Sequence, residues 1–220
     1  MPTNSSQLST KIYIARHGQT FWNIQKLYQS WGNSDLTQVG INQAVAMGKF
    51  LNNANIQKIY YSPLQRVIQT KNLILDQFEE QQKILIRSQT SDDRLKECNY
   101  GELEGKSELT LHNNLVKIGI NRNLAETKLN WQFPNGENYN QVFDRVQEFV
   151  NKNLHDVMLS NLRGGSILIV GHCGTTRCLW AILNDIPRIE AMGYKPNNGE
   201  LICYDIESKL CEIINFNNNI

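Results

Sequence analysis

Short runs rich in Ile, Val and Tyr alternate with longer stretches of helical spacing, and that alternation leaves a narrow class of folds open to the chain. The runs KIYIA (11–15), IQKIYY (56–61), KILIR (83–87), SILIVG (166–171), ELICYDI (200–206) and CEIINF (211–216) read as strands. Ile41, Ala44, Val45, Gly48 and Leu51 share one face of a helix that opens near Thr37. Leu64, Val67, Ile68, Leu75 and Phe78 mark a second, which starts after Ser62-Pro63. Tyr139, Phe143, Val146, Phe149, Val150, Leu154 and Val157 outline a longer third, and a fourth follows SILIVGHCG from about Thr175 to Leu183. Parallel neighbours need a crossover, and a helical crossover covers a sheet face. The pattern therefore predicts a three-layer α/β/α sandwich on a mainly parallel sheet, with the last two strands as candidates for antiparallel pairing.

Residues 92–135 interrupt the rhythm with charges, glycines and short apolar pairs, and read as a short lid insertion without a second core. No linker divides the chain, so residues 1–220 are expected to form a single domain with frayed tails at 1–10 and 217–220. The 22 Lys and Arg nearly cancel the 21 Asp and Glu. That balance speaks against nucleic-acid binding, which rests on many cations neutralising phosphates. No apolar run reaches the length of a membrane span, and MPTNSSQLST lacks the basic and apolar regions of a signal peptide, so a cytoplasmic protein without a membrane partner is expected. The five cysteines, an odd number without a C-x-x-C pair, read as free thiols. The four histidines show no zinc-binding spacing.

In open α/β sheets ligands gather at the carboxyl ends of the strands, and two histidines fall there. The first strand runs into Arg16-His17-Gly18-Gln19-Thr20, and SILIVG runs into His172-Cys173-Gly174. After the second strand, Ser62-Pro63-Leu64-Gln65-Arg66 puts an arginine on the first turn of a helix. A guanidinium fork matches phosphate oxygens, and helix starts add free N–H groups, so the converging groups suit a phosphoryl ligand. A neutral imidazole held through its other nitrogen can attack phosphorus, and the departing alcohol then needs a proton. Glu97 is the carboxyl assigned to that task, with Glu102, Glu104 and Glu137 as its neighbours. Glu137 also suits a first-turn position on the long helix. His112 and His155 read as structural or solvated, and Trp22, Trp31, Trp131 and Trp180 as packing. Cys173 is a poor nucleophile candidate, because only three residues separate it from Arg177 where a cysteine phosphatase loop needs five, and no D-x-D follows a strand.

These residues resemble the histidine phosphatase, or phosphoglycerate mutase-like, superfamily from about residue 11 to 205. The resemblance is carried by Arg16-His17-Gly18-Gln19-Thr20 with Trp22-Asn23, Asp35-Leu36-Thr37-x-x-Gly40, and Ser62-x-Leu64-x-Arg66. Leu95-Lys96-Glu97 with Tyr100-Gly101-Glu102-Leu103-Glu104-Gly105, Pro134-Asn135-Gly136-Glu137 and Val170-Gly171-His172 follow in the family's order. The resemblance implies the family's sandwich fold, His17 as phosphorylated nucleophile, Glu97 as acid and base, and Arg16, Arg66 and His172 as phosphate clamp. It implies substrate contacts from Thr20, Asn23, Gln29, Ser30, Tyr100, Cys173 and Gly174, and neither a metal nor another cofactor. Mutases of the family carry Arg-His directly after the donor Glu and a lysine further on, where this chain has Cys98-Asn99 and Glu108, and a pair of arginines in a stretch that holds only Arg122 here. The expectation is therefore a phosphomonoesterase acting on a small phosphorylated metabolite. A cofactor-dependent phosphoglycerate mutase and a non-catalytic phospho-ligand binder are the alternatives, and a homodimer is left open.

Overall fold

The computed structural model describes residues 9–109, 124–155 and 165–217. His112, Arg122, Val157 and the outermost tail residues lie outside that range. A six-stranded sheet runs in the order β3-β2-β4-β1-β5-β6, built from β1 (Lys11–Arg16), β2 (Ile56–Tyr61), β3 (Ser88–Ser91), β4 (Ser166–Gly171), β5 (Glu200–Asp205) and β6 (Cys211–Asn215). The pairs β1–β4, β4–β2 and β2–β3 are parallel, whereas β5 is antiparallel to both β1 and β6. The mainly parallel three-layer sandwich is thus the observed fold.

Alternation along the strands decides which layer each side chain joins. Ile12, Ile14, Ile167, Ile169 and Ile202 face one way and pack against Phe143, Val146 and Phe149 of α6 (Tyr139–Asn153) and Leu179 of α7 (Cys173–Leu183). Tyr13, Ala15, Leu168 and Val170 face the other way, against Met47 and Leu51 of α2 (Gln38–Leu51) and Val67 and Ile74 of α3 (Gln65–Leu75). β4 is buried along its whole length, as a central strand covered on both faces must be. Thr37 caps α2 by accepting from the Gly40 N–H at 3.1 Å, and Asn138 with Gln141 forms a reciprocal cap on α6. Further short helices are α1 (Phe21–Ile24), α4 (Glu80–Leu85), α5 (Ala125–Asn130) and α8 (Arg188–Ala191), with 3₁₀ turns at Asp93–Leu95 and Gly101–Leu103.

The strand expected at 83–87 is corrected. Residues up to Leu85 belong to α4, and the strand is the polar segment Ser88–Ser91. Gln82 is anchored on β2, its amide donating to the Ile56 carbonyl at 2.9 Å while its oxygen accepts the Ile56 N–H. That turns Ile84 outward to 80% exposure, and the Arg87 N–H donates to the Gln57 carbonyl to start the edge strand. Backbone pairing selects β3, with no help from apolar content. The fourth helix begins at Cys173, two residues earlier than its spacing suggested, and Phe78 is buried just past the end of α3.

Within 92–135, Leu95, Cys98, Leu103, Leu129 and Phe133 join the core on the α6 side of the sheet. At the expected frayed ends, the Thr10 N–H donates to Glu207, and the Asn217 side chain donates to the Asn198 carbonyl. Phe149 is fully buried, edge-on to Tyr60 at 5.3 Å between centroids and 5.7 Å from the Arg94 guanidinium. Phe149→Ala should lower the unfolding free energy by about 3–5 kcal/mol, read from urea midpoints at constant slope.

Candidate active site

Parallel register sets the site. Arg16 pairs with Gly171 across β1 and β4, and Tyr61 pairs with Val170 across β2 and β4, so His17 and His172 leave the sheet side by side with Ser62 one residue behind them. The His17 N–H continues the ladder to the Gly171 carbonyl at 3.0 Å, and the Ser62 N–H does so to Val170 at 3.1 Å. Ser62, His172 and His17 therefore meet at one sheet end. The two imidazole centroids are 5.3 Å apart, and the Ser62 hydroxyl lies 2.8 Å from Nε2 of His172.

His17 is almost wholly buried. Its Nδ1 lies 2.8 Å from the Gly18 carbonyl, an acceptor, so Nδ1 carries the proton. Its Nε2 accepts from Nε of Arg66 at 3.3 Å, which requires a free lone pair there. Burial, then the Arg66 and Arg16 charges, hold the His17 pKa well below the ordinary histidine value. His172 is held well below it too, by burial and then by the charge of Arg66. Both rings are neutral.

Arg66, at the start of α3, is 1% exposed. Its Nη2 donates to the Ser30 carbonyl at 2.7 Å and Nη1 to the Gly32 carbonyl at 3.1 Å, and burial lowers its pKa to about 10. Arg16 donates through Nη1 to the Pro196 carbonyl at 2.8 Å. Nε of Arg16, Nδ1 of His172 and Nε2 of Gln29 are buried without a hydrogen-bond partner among the described residues. Buried polar atoms are normally paired, and Arg16 and Gln29 line one cleft, so their unpaired N–H groups suit a ligand with acceptor oxygens.

Glu97 comes from the segment between β3 and α5. Its carboxylate accepts the Cys98 N–H at 2.8 Å and the Gly174 N–H at 3.1 Å, the latter from the first turn of α7. A Cβ on Gly174 would collide with that carboxylate. Three groups hold the Glu97 carbonyl and its neighbours. Arg145 of α6 donates to the carbonyls of Arg94, Lys96 and Glu97, and Trp31 donates its indole N–H to the Glu97 carbonyl at 3.0 Å. Glu137 pairs with Arg145 through both oxygens and accepts the Asn99 N–H at 2.8 Å. Glu137 therefore precedes the Asn138 cap of α6 and acts through Arg145 and Asn99, which corrects its reading as a first-turn residue. Gly101 sits at φ +53 with its α-carbon against the Pro134 carbonyl, where no side chain fits, so the Tyr100 and Pro134 segments cross backbone to backbone.

A cleft of about 800 Å³ opens over these groups, lined among others by Arg16, His17, Asn23, Gln29, Glu97, Tyr100, Cys173 and Glu108. Tyr100 and Tyr139 share a hydroxyl contact of 3.0 Å in its wall. Three expected contact residues, Thr20, Ser30 and Gly174, are not part of that lining, and neither are Arg66 and His172. Thr20 is fully buried, capping α1 and donating to the Gln29 side chain at 2.8 Å. Ser30, also fully buried, donates to the Cys98 carbonyl and accepts the Tyr100 N–H. Gly174 spends its N–H on Glu97, and Asn23 completes the Thr20 cap by accepting the Thr20 N–H at 3.1 Å. Of the other carboxyls, Glu102 is exposed and bonded to Asn135, and Glu104 accepts the N–H groups of Trp31 and Gly32. Arg145 and Trp31 carry no motif signal, since both act on carbonyls remote in sequence. His155 is exposed.

The family model described as histidine phosphatase superfamily (branch 1) matches residues 12–219. The chain is 29% identical over 206 residues to a 2,3-bisphosphoglycerate-dependent phosphoglycerate mutase of Bartonella henselae, with 90% of this chain and 92% of that one covered. It is 28% identical over 204 residues to that of Rhizobium johnstonii, with 91% and 92% covered. Among solved structures, the alpha-ribazole phosphatase of Shigella flexneri superposes with a TM-score of 0.74 at 24% identity, covering 94% of this chain and 96% of that one. A mycobacterial glucosyl-3-phosphoglycerate phosphatase superposes at 0.73 and 19% identity, with 95% and 99% covered. At such identities the structural likeness speaks for the fold.

The histidines give stability a signed pH dependence. An imidazole whose folded pKa lies below its unfolded value takes up its proton first in the unfolded chain, so stability rises with pH. The contribution is complete above the ordinary value of 6.5 and is lost as pH falls below it, towards the lowered folded values. Urea unfolding from about pH 7.5 to about pH 5 should show a loss of up to about 1.4 kcal/mol per pH unit for each histidine, and His172→Asn should make that slope shallower.

Proposed function

The chain belongs to the histidine phosphatase superfamily (branch 1), a family of phosphatases and mutases, and from that premise we propose a metal-independent phosphomonoesterase that works through a phosphohistidine at His17. Its substrate is a small phosphorylated metabolite, handled by a single domain. The carrying observation is the tautomer of His17, a cleft-lining residue whose Nδ1–H rests on the Gly18 carbonyl and whose Nε2 keeps a lone pair, shared with the Nε–H of Arg66 until a phosphoryl oxygen takes over that donor.

In the first half-reaction Nε2 of His17 bonds to phosphorus as the ester P–O bond breaks, and the leaving oxygen takes a proton from Glu97. In the second, water attacks phosphorus, gives a proton to Glu97, and the P–N bond breaks to release phosphate. Arg66, Nε of Arg16 and Nδ1 of His172 donate to the phosphoryl oxygens, whose charge they balance. Gln29, Asn23, Tyr100 and Cys173 line the cleft on the substrate's path.

Hydrolysis is favoured over transfer by the residues C-terminal to Glu97. Cys98 is fully buried, Asn99 is tied to Gly101, and Glu108 puts a carboxylate in the cleft lining. None of these can hold a second anionic group, which a bisphosphorylated intermediate requires. The mutase reading draws on the similar Bartonella and Rhizobium proteins and on Lys26, Lys128 and Lys195, which also line the cleft.

Turnover of p-nitrophenyl phosphate in excess chelator tests the proposal, together with an acid-labile, base-stable label on the wild-type chain. His17→Ala should lose turnover and label with the fold intact. Retained label on that variant sinks the nucleophile assignment, and conversion of 3-phosphoglycerate that depends on 2,3-bisphosphoglycerate makes the protein a mutase. Glu97→Gln should slow phosphoenzyme formation from an alkyl phosphate by on the order of 10²- to 10⁴-fold, and far less from p-nitrophenyl phosphate, whose leaving group needs no proton. Equal slowing in single turnover would assign Glu97 to binding.

A further inference from the structure

Glu104 lies in the segment after Glu97, and a single oxygen of its carboxylate accepts two consecutive backbone N–H groups, Trp31 at 2.8 Å and Gly32 at 3.0 Å. Gly32 packs so closely on this carboxylate that a Cβ there would collide with it. The loop so gripped turns its carbonyls the other way. Ser30 and Gly32 accept the two Nη groups of Arg66 at 2.7 and 3.1 Å, and the Gln29 carbonyl is 3.5 Å from Nη2. With its outer nitrogens so held, Arg66 aims Nε at Nε2 of His17. An arginine has long rotamer freedom, and a fully buried one keeps one pose only if the groups around it are fixed.

We propose that Glu104 is a positioning residue for the phosphate clamp: by holding the amides of Trp31 and Gly32 it presents the carbonyls that fix the two Nη groups of Arg66 and so keep its guanidinium beside His17. The assignment rests on the phosphoryl-binding reading of the cleft. Glu104 itself does not line the cleft, so it acts through the loop and Arg66. Its charge alone would act in the opposite sense. A carboxylate near an anion pocket repels the anion, so removing the charge without other consequence should tighten phosphate binding. Loss of the grip on the loop should weaken it.

Titration calorimetry with inorganic phosphate on the intact chain reads that sign without reference to turnover. Glu104→Gln keeps the side-chain shape but replaces charge-assisted bonds by neutral ones, and should weaken phosphate binding about tenfold. Glu104→Asp keeps the charge, withdraws the carboxylate by one methylene, and should weaken it as well. Circular dichroism on the same samples establishes that both variants are folded. Phosphate binding unchanged or tighter in folded Glu104→Gln, or unchanged in Glu104→Asp, overturns the positioning role while leaving the functional reading intact. A wild-type chain that binds no phosphate overturns the functional reading, and this one with it.

Discussion

The parallel register of β2, β4 and β1 is the constraint on which the site depends. A parallel ladder fixes not only which strands are neighbours but which residues leave the sheet side by side. Because Arg16 pairs with Gly171 and Tyr61 with Val170, the next residue on each strand is His17, His172 or Ser62. A slip of one residue on β1 would move Ile12 and Ile14 to the other face and carry His17 away from His172 in the same step. The alternating burial that anchors the core therefore also anchors the chemistry.

Above the sheet end, loops supply the remaining groups, and buried or half-buried carboxylates organise them. Glu137 with Arg145 pins the carbonyls of 94–97, which carry Glu97. Glu104 grips the loop that faces Arg66. Glu200 accepts the N–H and side-chain amide of Asn197, next to Pro196, whose carbonyl holds Arg16. Each carboxylate binds backbone on one side of a loop, while the loop's other groups meet a site residue. Charge-assisted bonds to N–H groups are stronger than neutral ones, and two at once resist rotation of the peptide.

The electrostatic balance is unusual for a protein interior. Two arginines are buried beside two histidines without a carboxylate in direct salt bridge to either guanidinium among the described residues. Backbone carbonyls solvate the arginines, and the histidines remain neutral because burial and the arginine charges both oppose protonation. The result is a site with two buried guanidinium charges beside two imidazoles, a balance that suits an anionic ligand.

The sequence by itself determined the layers, five of the six strands, and the chemical identity of the groups at the strand ends. Those features are local: strand runs of β-branched and aromatic residues, helical spacing, and residues directly after a strand. The resemblance of the motifs to a family added expectations of their roles. Tertiary structure alone decided the rest. Ser88–Ser91 becomes a strand because β2 offers it a backbone edge, and KILIR, although apolar, turns outward as a helix. Thr20 and Ser30 stand within the motif region yet face inward as braces, since a local pattern does not specify which way a loop side chain turns. Arg145, Glu104 and Pro196 meet their partners across 48, 73 and 180 residues of chain. Contacts of a side chain with a remote backbone group leave no periodicity and no characteristic spacing, so only the folded chain could reveal them.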